Sequence, residues 1–175
     1  MSETQNDGMG SIVPGTDVAV AEWLLTAAHD LGEATEDWRK CGIAVLDCGL
    51  AFSVLTIPAP TIYAAAHTSE ADGVARYLAS ALGGGPAFVS TDGDSYYVLV
   101  PPDVEQETLP PGVQCLGRSA LLSVPRPDLT DPSQHAHASY WAVPMAGPGA
   151  LCPTGAAIQV ATAGRYRQTQ QGEDQ

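Results

Sequence analysis

The stretch VQCLGRSALLSVPRP, Val113–Pro127, with its echo YWAVP at Tyr140–Pro144, orders the rest of the chain. Apolar residues stand there in short runs, each closed by Pro or Gly, and that length and punctuation predict buried β-strands ending at one sheet edge. Strands are expected over Val113–Leu116, Ala120–Val124 and Ser139–Val143, the last two separated by a long loop, Pro125–Ala138. A loop of that length in a compact domain carries function or lacks order.

Upstream, Asp103–Gly112 is an acidic, Pro-containing connection, and before it Pro86–Thr91 and Tyr96–Pro101 flank the hairpin punctuation Asp92-Gly93-Asp94. Tyr96, Val98 and Val100 alternate with Tyr97 and Leu99, so both faces of that strand are apolar and it belongs at a sheet centre covered on both sides. Ile43–Leu46 and Phe52–Ile57 are apolar runs around the turn Asp47-Cys48-Gly49, a strand pair or one sharply bent strand. Helical spacing of Val20, Trp23, Leu24, Ala27 and Leu31 predicts a helix over Asp17–Leu31, and shorter helices follow at Ala34–Lys40 and Thr61–His67. A further helix, Ser69–Leu82, has Ser69 and Asp72 placed as a capping box, and Thr154–Ala163 closes the chain. About six or seven mostly antiparallel strands with three or four flanking helices make an α+β domain.

The length of 175 residues suits one such domain, residues 17–164, between polar tails at 1–16 and 165–175. Hydrophobic content of 45% with 15% charged residues is that of a globular chain. Twenty acidic against 7 basic residues give a net charge of −13, a field that opposes strong nucleic-acid binding. It suits a solvated surface or one that docks a protein partner or a second copy. No run reaches ~18 apolar residues and no basic segment precedes an apolar one at the N-terminus, so a cytoplasmic protein without membrane contact is expected. Cys41, Cys48, Cys115 and Cys152 lie in apolar contexts and are expected as reduced core residues.

Few residues carry a chemical signature. Gly83-Gly84-Gly85 follows a helix and leads into a strand, the reverse of a phosphate loop, so it reads as a helix stop. The spacings of Cys41 with Cys48 and of His135 with His137 match no zinc knuckle, and no structural metal is expected. Asp47, Asp92 and Asp94 fall at strand ends, where converging carboxylates could hold Mg²⁺ or Mn²⁺ for phosphoryl chemistry, but tight turns select the same residues. Arg118 and Arg126 bracket the Ala120–Val124 strand with His135 and His137 in the loop beyond, four potential donors for a phosphate or an acidic peptide.

The order of pieces also resembles a known family. A Trp38-bearing helix, GIAVLDCG, AFSVLTIP, a helix through ADGVARYLASAL, the hairpin GPAFVSTDGDSYYVLVPP, then GVQCLGRSALLSVPRPD and YWAVP are similar to the small primase–polymerase-like domain. That domain is the N-terminal module of bifunctional DNA primase/polymerases of the archaeo-eukaryotic primase superfamily, and the likeness is to its short stand-alone bacterial members, over about Asp17–Pro144. The resemblance implies a single domain with an RRM-like sheet set against a second small sheet, and a nucleotide with two metal ions held by three motifs. The paired carboxylates of the first motif correspond to Ser53 and Thr56, the phosphate-binding histidine of the second to Ser95 or Tyr96, and the aspartate of the third to Gln114. Leu116-Gly117-Arg118 keeps the family pattern.

Hydroxyls and an amide are neutral and cannot balance a pair of divalent cations. The resemblance therefore implies a catalytically inactive member, without cofactor, kept for binding a protein partner or a nucleotide. Two alternatives stay open: a Mg²⁺- or Mn²⁺-dependent nucleotidyltransferase on displaced carboxylates Asp47, Asp92 and Asp94, and a nucleic-acid binder using Arg118 and Arg126.

Overall fold

The computed structural model describes residues 14–105, 109–131 and 139–173. Its order is α1 (Pro14–Leu25), α2 (Leu31–Cys41), β1 (Ile43–Asp47), β2 (Ser53–Pro58), α3 (Ala59–Ala66), α4 (Ala71–Ala81), β3 (Ala87–Val89), β4 (Ser95–Val100), β5 (Gln114–Leu116), β6 (Leu121–Pro125), β7 (Trp141–Val143) and α5 (Thr154–Glu173). The fold is α+β, with a five-stranded sheet ordered β5-β2-β4-β3-β7 and a two-stranded sheet of β1 and β6, every pairing antiparallel.

Strand β4 sits at the sheet centre and is apolar on both faces, as its double alternation predicts. Leu55, Ile57, Val98 and Val100 face one core layer, completed by Ile62 and Ala65 of α3, Val74 and Leu78 of α4, and Ala157, Val160 and Ala161 of α5. Val54, Phe88 and Leu99 face the other, completed by Val20 and Leu24 of α1, Trp38 of α2, Leu46 of β1, and Leu122 and Val124 of β6. The molecule is thus three layers deep, and the two-stranded sheet is part of its covering.

The stretch that opened the sequence reading divides between the sheets. Its first run, β5, is an edge of the large sheet on β2, whereas its second, β6, leaves to pair with β1. Val113–Pro127 was expected to end at one sheet edge, and the correction has a visible cause: β1–β2 and β5–β6 both step between sheets, side by side. Gly49, at φ +98°, lies against the Arg118 backbone so closely that a Cβ there would collide with it. Cys48 N–H donates to Ala120 O at 2.9 Å and Gly49 N–H to Phe52 O at 2.7 Å, so the two crossings hold each other.

The helix expected over Asp17–Leu31 stops early, at Leu25, and the one expected at Ala34–Lys40 starts early, at Leu31, as α2. The Thr26 hydroxyl and N–H both turn back to Trp23 O, at 2.6 and 3.1 Å, and close α1. Asp30 then caps α2 by accepting Glu33 N–H at 2.9 Å, a local polar bond that competes with the helical ladder. Leu31, expected on the buried face, is exposed as a result. The Ser69/Asp72 capping box does not form, because α4 begins at Ala71 and Thr68 Oγ1 instead accepts Glu70 N–H at 3.1 Å. Arg165–Gln175 was expected as a loose tail, yet α5 is helical to Glu173. Arg167 donates to Ala65 O at 2.6 Å and the Thr61 hydroxyl to Gln168 Oε1 at 3.1 Å, fixing those turns on α3. Of the expected N-terminal tail 1–16, α1 takes Pro14 onward, and residues 1–13 lie outside the described residues.

All four cysteines are free; Cys48 and Cys152 are buried and Cys115 is half-buried, but Cys41 is exposed where α2 ends at Gly42, which is left-handed at φ 78°. No helix among the described residues is long and apolar enough to cross a membrane.

Candidate functional site

The positions carried over from the primase–polymerase resemblance fall on two faces of the large sheet. Thr56 of β2 stands directly between Gln114 of β5 and Tyr97 of β4, and Ser95 lies one pair further along that face, opposite Pro58. Ser53 belongs to the other face by alternation; it is fully buried and its hydroxyl donates to Pro102 O at 3.1 Å. Tyr96 also faces away, packing edge-on to Tyr63 at 6.3 Å between centroids and sharing hydroxyl contacts with Tyr63 and Tyr140. Burial pushes the Tyr96 phenol well above its usual range, so it stays neutral. Thr56, Ser95 and Gln114 are therefore brought together, and Ser53 and Tyr96 are not.

The three carboxylates do not converge. Asp47 ends β1 next to the crossing that enters β2 at Ser53, whereas Asp94 O accepts Ala59 N–H at the Pro58 end. Five strand steps of about 3.3 Å separate those ends, roughly 16 Å. Asp92 closes the β3–β4 turn: its Oδ1 accepts the Ser90 hydroxyl at 2.6 Å and Asp94 N–H at 3.0 Å. Those two bonds, the hydroxyl first, hold its carboxyl below the ordinary range. Among the described residues no three His, Cys, Asp or Glu side chains are placed to hold a metal ion.

Of the four expected donors, His135 and His137 lie outside the described residues. Arg126 is structural: it donates to both carboxylate oxygens of Asp128, at 2.5 and 3.3 Å, and to Trp38 O at 2.8 Å, closing the C-terminal turn of α2. Arg118 is exposed at the start of the crossing into β6 and forms no ion pair among the described residues. The two arginines stand at opposite ends of β6 and make no joint site.

What the sequence reading missed is a cleft of about 340 Å³ beside α2, with Ala34, Val45 and Leu121 as its apolar floor and His29, Asp30, Glu33, Asp37 and Asp47 around it. It adjoins a second depression of about 490 Å³, formed by Asp47, Cys48, Leu50, Arg118 and Ser119. Val45 is 48% exposed, Leu121 63% and Leu50 73%, half of the six large exposed apolar side chains among the described residues gathered on one surface. Val45 and Leu121 point outward because β1 and β6 pair in register, with Asp47 opposite Leu121 and Val45 opposite Ser123, while Leu46 and Leu122 fill the core. Burial, followed by the neighbouring Cys115 and Asp47, pushes the Cys48 thiol up to about 11, so the cysteine bordering this surface is an inert thiol.

Comparison of the chain with family models, curated proteins and solved structures gave no match.

Proposed function

We propose that this protein is a catalytically inactive primase–polymerase-like domain that works as a protein-binding module, and that the surface of Val45, Leu50 and Leu121 is where it binds. The observation that carries this reading is that convergence of exposed apolar side chains, because apolar surface of this kind is costly in water unless a partner covers it. The reading is supported at the level of fold class, an α+β domain with a five-stranded and a two-stranded antiparallel sheet. Where the family would hold two metal ions, Thr56, Ser95 and Gln114 contribute no charge, and Asp92 nearby is engaged by its own turn.

Co-purification from native cells tests it, comparing the wild type with a Val45→Ser/Leu121→Ser variant, alongside Mn²⁺-dependent primer extension. The expected result is a partner retained by the wild type and lost by the variant, with no nucleotide incorporation. Incorporation abolished by Asp94→Asn would return the displaced-carboxylate enzyme, and a partner held equally by both proteins would move the interface elsewhere.

A second reading, nucleotide binding without chemistry, is favoured by the register of Tyr97, Thr56 and Gln114, a half-buried ring beside two hydrogen-bonding side chains. A fluorescent ATP analogue that gains polarisation with the wild type and loses it with Tyr97→Ala supports this reading. No gain with the wild type excludes it.

A further inference from the structure

The groove beside α2 has a chemistry of its own. Along α2, Arg39 and Lys40 both pair with Glu36, so the cations of the helix are used on one side. Glu33 and Asp37, one turn apart, line the groove and form no ion pair among the described residues. Like charges at that spacing raise the energy of a helix by a few tenths of a kcal/mol. Asp47 adds a third carboxylate from β1 across the groove, and Asp30 a fourth whose oxygen already caps α2. The floor between them is apolar: Ala34, Val45 and Leu121, continued past Asp47 by Leu50. Four carboxylates stand there against His29 in the groove and Arg118 in the adjoining depression, so an excess of negative charge and wetted apolar area fall on one surface, and one occupant relieves both.

Resting on the protein-binding reading above, we infer that the groove takes a basic amphipathic segment of another protein: two or three apolar side chains on the Val45–Leu121 floor, with Lys or Arg beside them against Glu33, Asp37 and Asp47. Charge complementarity selects this occupant over the others. A second copy carries the same −13 and is repelled. Residues 1–13 of this chain contain Glu3 and Asp7 and no Lys or Arg, so they bring the wrong sign. An anionic nucleic acid is excluded from the groove on the same ground. The recognition mode is a helix in a groove, with apolar anchors for affinity and flanking charges for orientation and rate of encounter.

The test uses the full chain and a fluorescein-labelled 15-residue peptide with Leu at i, i+3, i+4 and i+7 and Lys at the other polar positions. Fluorescence anisotropy is expected to show saturable binding that weakens with added salt. Glu33→Lys/Asp37→Lys should weaken it by about tenfold or more, and Leu121→Ser by several-fold. The control Glu70→Lys/Asp72→Lys, the same change of charge on α4 in the opposite layer, should leave it nearly unchanged. All five substituted residues are partly or fully exposed, and a retained melting temperature confirms folding of each variant. Equal weakening by the control would show attraction to net charge alone and overturn the assignment. So would equal binding of a peptide with the same residues scrambled out of helical spacing, or of one with Glu for Lys. A synthetic peptide of residues 1–13 binding in its place, or a dimer in sedimentation that Leu121→Ser dissociates, would give the groove to another occupant. Failure of this peptide with a Val45/Leu121-dependent partner still captured from cells would overturn the basic segment alone; nucleotide incorporation would overturn the non-catalytic reading and leave the groove result standing.

Discussion

Asp92 shows what a strand-end carboxylate does when it is not part of a metal site. Its two acceptor bonds, from the Ser90 hydroxyl and Asp94 N–H, shape the turn between β3 and β4 and favour the ionised form. A depressed folded-state pKa means that this stabilisation is complete above the unfolded-state value and is lost as pH falls through the folded one. In a carbon-13 titration of the carboxylates, Asp92 is therefore expected to titrate below an unperturbed aspartate, and Ser90→Ala should move its midpoint upward. An unmoved midpoint would show that the hydroxyl is not the main cause. Arg126 and Arg118 teach the same lesson at another pair of sites. In sequence both are basic residues beside one strand, and Asp128 stands two residues after Arg126; only the fold reveals that Arg126 also reaches Trp38 O, 88 residues away. Long-range backbone partners of that kind leave no trace in local spacing.

Among the elements, α3 and α5 depend on one close approach. Gly164 of α5 lies against the Thr61 carbonyl of α3, and an added Cβ would collide with that oxygen. Gly172, two turns further along the same helix, has nothing within 4 Å. Helix propensity alone favours Ala over Gly by up to about 1 kcal/mol at either position. The packing reverses the sign at one of them: Gly164→Ala should destabilise by about 1–3 kcal/mol, and Gly172→Ala should be neutral or slightly stabilising. Urea denaturation of the two variants decides it, and equal effects would mean that α5 can slide off Thr61 without loss. Element type was legible in the sequence wherever a long periodic segment existed, as for α4, β4 and the fold class itself. Sheet membership was not, because β5 and β6 have the same short apolar pattern and only the packed crossings at Gly49 and Arg118 separate them. The end of α5 was hidden for a related reason: Arg165–Glu173 is polar and aperiodic, and it is held by Arg167 and Gln168 reaching α3 rather than by an apolar stripe. The groove was hidden too, since outward Val45 and Leu121 look like any other strand residues until register fixes their side.

At the scale of the molecule, the two core layers share a single wall, the five-stranded sheet, and that arrangement governs how the protein should unfold. Val54 and Leu55 are neighbours in β2 yet belong to different layers, as do Leu99 and Val100 in β4, so neither layer can be lost without exposing one face of the same strands. Exposing a sheet face of that kind costs about 25 cal/mol for each Å² of apolar area, which couples the layers strongly. The aromatic residues supply a direct reading of this coupling. Trp23, Trp38 and Trp141, all three tryptophans of the chain, belong to the layer of α1, α2 and the two-stranded sheet, whereas α3, α4 and α5 cover the other. Tryptophan emission therefore reports one layer, and far-ultraviolet ellipticity is weighted toward the helices of the other. Coupled layers predict coincident urea transitions by the two probes, as expected for two-state unfolding of a domain of this size. An emission change that precedes the loss of ellipticity would mean that the layer carrying the groove opens by itself, and that the shared sheet does not transmit its loss.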